Sequence, residues 1–199
     1  MSTAAILAGG RARRFGGRPK LLLPLGGRRI VERLLVALRA VADQVFIVAN
    51  DCDTYAGLGV PVHPDVLPGA GPLGGVHAAL RASGASRTLV LAGDMPFVNA
   101  SFLEYLLELA SPAVDVAVPR TRDGYQPLCA CYRESCIPVL ERRVATRTLQ
   151  MSAAVQEMRR HEVGADELEP FDPHGTLFFN VNTPADHARA LALAAYHDR

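Results

Sequence analysis

The sequence predicts an α/β fold: a single three-layer αβα domain over residues 1–199, built on a mainly parallel twisted sheet. Three observations predict it. Short, continuous apolar runs recur at 4–8, 45–49 and 88–92, the length of strands buried on both faces. Segments with helical spacing separate them. Each run stops at a glycine, asparagine or aspartate, in Gly9-Gly10, Asn50-Asp51 and Gly93-Asp94. Sheets of this kind bind ligands beyond the carboxyl ends of their strands, so these residues are the first candidates for a site.

The elements follow in order. Run 4–8 is the first core strand; it has neither the basic lead nor the length of a signal peptide, and the protein is expected to be cytoplasmic. Residues 21–25 are an apolar segment ending at Gly26-Gly27. Apolar residues at 30, 31, 34, 35, 38 and 41 mark one face of a helix. Strands follow at 45–49 and 60–63, the second leading to Asp65. Residues 68–75 are a second glycine-rich turn, with Pro72 suited to the first position of a helix reaching about 82. Strand 88–92 ends in Gly93-Asp94-Met95-Pro96. A helix over 100–110 takes Asn99 or Ser101 as its cap. Strands at 114–118 and 129–132, helices at 134–143 and 151–159, and an edge strand at 161–163 come next. Residues 166–175 read as a polar loop, and 177–182 as a strand end with Asn180 and Asn182 on one side. Helix 184–196 closes the chain, with Thr183 as N-cap and Asp186 in its first turn.

Composition bounds the function. Hydrophobic residues at 49% and charged residues at 21% exclude a disordered chain. A net charge of +1 gives no bulk electrostatic case for nucleic acid. No apolar run reaches the about 18 residues of a membrane span. Cys52, Cys129, Cys131 and Cys136 have no CxxC spacing and read as buried free thiols. His63, His77, His161 and His174 share no ligand spacing and read as structural or surface residues.

The densest basic cluster is Arg11, Arg13, Arg14 and Lys20, which follows the first strand. Its pattern is Leu-Ala-Gly-Gly-x-x-x-Arg-x-Gly-x-x-x-Lys, neither GxGxxG nor GxxxxGK[ST]. Glycines let backbone approach a ligand, and the cations supply charge for a polyanion. Together they point to a nucleoside triphosphate; the plainer alternative is a tight turn with solvated cations. Asp94, ending an apolar strand, can hold Mg²⁺ against a phosphate or cap the next helix. The turn with Gly71 and Leu73 can lie against a base or ribose, or pack a helix on the sheet. Asp65 can accept hydrogen bonds from base or sugar. Asn180 and Asn182 can meet metal, phosphate or a polar ring, or form the turn before Pro184.

These segments resemble the nucleotidyltransferases of the molybdenum-cofactor guanylyltransferase type. The resemblance is carried by Leu7-Ala8-Gly9-Gly10, Arg14-Phe15-Gly16-Gly17 with Lys20, Gly71-Pro72-Leu73-Gly74-Gly75, Gly93-Asp94-Met95-Pro96-Phe97, Gln126-Pro127-Leu128 and Asn180-Val181-Asn182-Thr183-Pro184-Ala185-Asp186. These run in the family's order over nearly the whole chain. The resemblance implies the Rossmann-like nucleotidyltransferase fold. It also implies a reaction that joins GMP from GTP to the terminal phosphate of molybdopterin, with or without bound molybdenum, releasing pyrophosphate. By the same resemblance the nucleotide site is formed by Leu7, Ala8, Gly9, Gly10, Lys20, Asn50, Asp65, Gly71 and Leu73. Arg14, Lys20 and Asp94 carry catalysis, Asp94 is the Mg²⁺ ligand, and Asn180 and Asn182 stand near metal and pterin. The implied partners are GTP and the molybdenum cofactor as substrates, and other cofactor-synthesis proteins or apo-molybdoenzymes. CTP-using relatives tend to carry Leu-Ala-Ala-Gly, so Gly9 favours GTP. The chain departs from the family at Phe15, where Met is usual, and at Pro19, where Asp is common; neither removes a phosphate or metal group. The alternative functions are transfer from CTP or to another phosphate acceptor, and non-catalytic binding and delivery of the cofactor.

Overall fold

Strands and helices alternate along the chain as their apolar periods require. In the computed structural model the described residues are 1–9, 15, 18–67 and 69–197, without the side chains of Tyr196 and His197. The order is β1 (Thr3–Leu7), β2 (Pro24–Leu25), β3 (Arg28–Arg29), α1 (Ile30–Arg39), β4 (Gln44–Val48), β5 (Val62–His63), α2 (Gly71–Ser83), β6 (Arg87–Ala92) and α3 (Ala100–Leu109). It continues with β7 (Val116–Thr121), β8 (Gly124–Tyr125), β9 (Cys129–Arg133), α4 (Ile137–Ala145), α5 (Met151–Gln156), β10 (Arg160–Val163), α6 (Ala165–Leu168) and α7 (Pro184–His197).

The sheet runs β10-β7-β9-β6-β1-β4-β5, with β8 paired to the end of β7. β1 lies parallel to both β4 and β6, and β5 parallel to β4. β9 is antiparallel to its two neighbours. The sheet is therefore mainly parallel, as the sequence predicts. Alternation along β1 divides the core. Ala4 and Ile6 face α1, α3 and α7, while Ala5 faces α2, α4 and α5. That gives the three layers. Ile6, Leu34, Leu89 and Phe102 are fully buried, and each such side chain contributes roughly 1.5–3 kcal/mol.

Local chemistry alters the expectation in four places. Segment 21–25 splits into a 3-10 turn at Lys20–Leu22 and the hairpin strand β2. Gly26 and Gly27, with φ of 59° and 76°, supply the left-handed two-residue turn that joins β2 to β3. Helix 134–143 begins as a 3-10 turn, Glu134–Cys136; α4 starts only at Ile137, because Pro138 lacks an N–H and suits a first turn. The polar loop 166–175 contains α6, whose Glu167 accepts from the Gly164 N–H at 3.1 Å. Segment 177–182 is not a strand. Asp172 takes the Thr176 and Leu177 N–H groups, Thr176 takes that of Phe179, and no neighbouring strand among the described residues takes the rest. No helix among the described residues is long and apolar enough to cross a membrane.

Candidate active site

Strand register builds the site. Leu7 pairs with Val48 and with Ala92, and Val48 pairs with His63, so β5, β4, β1 and β6 end level. Two residues beyond these ends stand Asp65, Asn50, Gly9 and Asp94. Backbone bonds carry the ladder one step past the strands. Ala8 donates to Val48 O at 2.8 Å, Ala49 to His63 O at 2.9 Å and Gly93 to Leu7 O at 3.1 Å. The sheet itself thus holds four polar or bare positions at one edge.

A cavity of about 510 Å³ opens at this edge, within the usual size of small-ligand sites. It is lined by Leu7, Gly9, Lys20, Asn50, Asp65, Gly71, Asp94 and Asn180. Gly71 and Pro72 stand at it as the first residues of α2. Gly74 and Gly75 do different work. A Cβ on Gly74 would lie 3.1 Å from the Asp65 carboxylate, and one on Gly75 would lie 3.1 Å from Leu7 Cδ1. Both glycines let the helix pack close behind the site. Asp65 is held by its own loop, its Oδ1 accepting the Leu67 N–H at 2.9 Å.

Lys20 and Asp94 form the charged centre. Lys20 Nζ lies 2.8 Å from Asp94 Oδ2 and 3.1 Å from Asn182 Oδ1. The Lys20 and Asp94 side chains are 19% and 20% exposed, which strengthens their attraction over that of a surface pair. Gly93 explains how Lys20 arrives there. A Cβ at Gly93 would collide with Leu21, 2.8 Å from its Cγ. The missing side chain seats buried Leu21 against the end of β6, and Leu21 brings its neighbour to Asp94. The opposite wall is tied in by the Val181 N–H, which donates to Asp94 O at 2.9 Å. Asn180 lines the cavity and donates its amide to Phe178 O at 2.9 Å.

Asp94 Oδ1 is buried and has no hydrogen-bond partner among the described residues. A carboxylate oxygen left open beside a polyanion-sized cavity suits Mg²⁺, which prefers oxygen donors. No group of three or more His, Cys, Asp or Glu among the described residues is placed to hold a metal. Mg²⁺ commonly binds through one or two carboxylates together with substrate phosphates and water, so a single carboxylate is compatible with it.

The structure separates some sequence candidates from the cavity. Ala8 points to the other face of the sheet and its N–H is spent on Val48, because β1 alternates and Leu7 takes the cavity side. Leu73 is fully buried under α2, facing the sheet. Asn182 does not line the cavity but reaches Lys20 at its rim. Gly10 and Arg14 lie outside the described residues. Asn180 and Asn182 come to the site from a turn rather than from a strand. The walls Val48 and Ala92 carry no sequence signal that separates them from core, whereas Met95 and Leu128 fall within the motifs Gly93-Asp94-Met95-Pro96-Phe97 and Gln126-Pro127-Leu128. The thiols of Cys129, Cys131 and Cys136 are buried, which pushes each up to about 12 and leaves them inert. His77 is buried between α2 and α4, against Glu141 at 3.1 Å.

Known proteins resemble this chain in sequence and in fold. The family model of the MobA-like NTP transferase domain matches residues 4–162. The probable molybdenum cofactor guanylyltransferase of Pelotomaculum thermopropionicum is 36% identical, over 97% of this chain and 93% of that protein. The molybdenum cofactor guanylyltransferase of Desulfosudis oleivorans is 32% identical, over 96% of this chain and 94% of that protein. Among solved structures, molybdopterin-guanine dinucleotide biosynthesis protein A from Archaeoglobus fulgidus matches with a TM-score of 0.83 and 31% identity, covering 98% of this chain and 99% of that one. Sequence identity over nearly the full length and a shared fold agree, and the chain belongs to the MobA-like NTP transferase family, among the molybdenum cofactor guanylyltransferases.

Proposed function

We propose that the protein transfers GMP from GTP to the terminal phosphate of molybdopterin, bare or carrying molybdenum, and releases pyrophosphate. The observation that carries this reading is the level edge of four strands, with Gly9, Asn50, Asp65 and Asp94 around one cavity and Lys20 seated on Asp94. The names of the relatives supply the acceptor.

A phosphate oxygen of the pterin attacks the α-phosphorus of GTP in line. A P–O bond forms, the bond to the β-phosphate oxygen breaks, and pyrophosphate departs with that electron pair. A phosphate monoester is already anionic near neutral pH, so the step needs no general base. Positioning and fixed charge do the rest. Asn50 and Asp65 offer polar groups to base and ribose at the level strand ends. Lys20 exchanges its contact with Asp94 for the phosphates and neutralises charge on the leaving group; Arg14 is proposed for the same task. Asp94 Oδ1 would hold Mg²⁺, which when bound supplies Lewis-acid stabilisation of phosphate charge. Gly9 leaves room at the base, which supports guanine over cytosine nucleotides. The free cysteines suit a reducing, cytoplasmic setting.

Incubation with GTP, Mg²⁺ and molybdopterin should release pyrophosphate. Asp94→Ala and Lys20→Ala should each keep the fold and lose turnover on the order of 10²-fold, the usual cost of one electrostatic element. Near-normal turnover by Asp94→Ala would sink the metal assignment. A thermal shift with CTP but not GTP would reject the base assignment, and nucleotide binding without pyrophosphate release would favour a delivery role.

A further inference from the structure

Asp186 sits in the first turn of α7 and does not line the cavity. Its Oδ2 accepts the N–H of Thr183 at 2.8 Å, and its own N–H donates to Thr183 Oγ1 at 3.1 Å. That reciprocal pair caps the helix and explains why Thr183 and Asp186 stand three apart. It does not explain a second bond: the same Oδ2 accepts the N–H of Asn182 at 3.0 Å. Asn182 precedes the cap, and its N–H is not one a helix needs to satisfy.

Asn182 belongs to a closed circuit. Its Oδ1 accepts from Lys20, Lys20 donates to Asp94 Oδ2, the Asp94 carbonyl accepts from Val181, and Val181 is the residue before Asn182. Val181 is fully buried and anchored by packing. Asn182 is exposed, so packing does not set its main chain or aim its amide. Its N–H is held by the Asp186 carboxylate, which accepts it at 3.0 Å.

We propose that Asp186 is a positioning residue for guanylyl transfer. It holds the Asn182 main chain so that the amide oxygen faces Lys20, and so fixes where the ammonium stands relative to Asp94. The proposal rests on the reading of Lys20 and Asp94 as the reacting centre.

Four single variants and one double variant separate positioning from helix capping, with kcat, KM for GTP and Tm measured for each. Asp186→Asn keeps an acceptor oxygen and loses the charge; kcat should stay within about twofold of wild type while Tm falls slightly. Asp186→Glu keeps a capping carboxylate but moves the oxygen by one methylene. Its Tm should hold while kcat falls about tenfold, with KM within about twofold. Thr183→Ala loses the cap and lowers Tm but should keep kcat. Asn182→Ala should lower kcat, and adding Asp186→Glu to it should lower kcat no further, because both act through one amide. Wild-type kcat in Asp186→Glu, equal kcat losses in Thr183→Ala and Asp186→Glu, or additive losses in the double variant would overturn the proposal alone. Wild-type protein that releases no pyrophosphate from GTP and molybdopterin would overturn the functional reading, and this proposal with it.

Discussion

Two glycines of the site carry opposite information. Gly9 has no left-handed φ, and a Cβ built on it meets nothing within 4 Å among the described residues. Nothing among the described residues requires glycine there, and on the proposed reading the space a side chain would fill belongs to the nucleotide. Gly93 is the reverse, since its missing side chain is filled by Leu21, which is 3% exposed. Gly9→Ala should therefore leave Tm within about 1–2 °C of wild type. On the GTP reading it should weaken GTP binding roughly tenfold, the scale of one methyl in a fitted pocket. Gly93→Ala should cost about 1–3 kcal/mol of stability through overpacking. It should also abolish most pyrophosphate release, because Lys20 moves with Leu21. Thermal melts with a GTP titration check both. Unchanged GTP affinity in Gly9→Ala would remove that residue from the base site.

Elements differ in how far their own residues specify them. α3 is set locally: Asn99 Oδ1 accepts the Phe102 N–H at 2.9 Å, the cap its sequence position predicts. Its Nδ2 also donates to Phe171 O at 2.9 Å, tying a distant turn to the helix. Asn99→Ala should lose about 1–2 kcal/mol, or roughly 2–8 °C in Tm. Asn99→Ser keeps a cap acceptor and loses the tether, so it should fall by less; an equal drop would show that the tether dominates. The same division decides what the sequence could reveal. The strands at 45–49 and 88–92 and the helix from Ile30 are periodic, and they appear within a residue or two of their expected starts. The polar residues at strand ends were legible because an aspartate or asparagine ending an apolar run has no packing reason to be there. Segment 177–182 was not, because its N–H groups at Leu177, Phe179, Val181 and Asn182 go to Asp172, Thr176, Asp94 and Asp186 rather than to a strand. The Lys20–Asn182 contact spans 162 positions, and no local pattern encodes it. Val48 and Ala92 line the cavity with the same residue types that fill the core, so periodicity could not separate wall from interior.

At the scale of the molecule, the sheet has a ligand half and a support half. β5, β4, β1 and β6 carry the cavity, while β9, β7 and β10 extend away from it, with β10 on the edge. The support half is fastened by carboxylates. Asp115 accepts from the Arg159 guanidinium at 2.7 and 3.0 Å and from Ser135 at 2.7 Å, which lowers its carboxyl to about 2. Glu162 on β10 is lowered to about 2 by the Tyr125 hydroxyl, then by Arg120 and Arg160. Both values lie below those of the unfolded chain, near 4. Between about pH 4 and pH 2 the unfolded chain then binds more protons than the folded one, and stability falls as pH falls. The contribution is complete above about pH 5 and is lost as pH drops through the folded values. Because both groups sit beside β7 and β10, acid should loosen that edge before the ligand half. Amide exchange near pH 3 should accelerate at Glu162 and Val163 ahead of Ile6 and Ile47, after correction for intrinsic rates. Asp115→Asn should lower stability at pH 7 and flatten its decline between about pH 5 and pH 2, read by urea unfolding at each pH. Parallel wild-type and variant profiles would show that the Arg159 pair does not set the acid response. Uniform exchange across the sheet would show that the two halves unfold together.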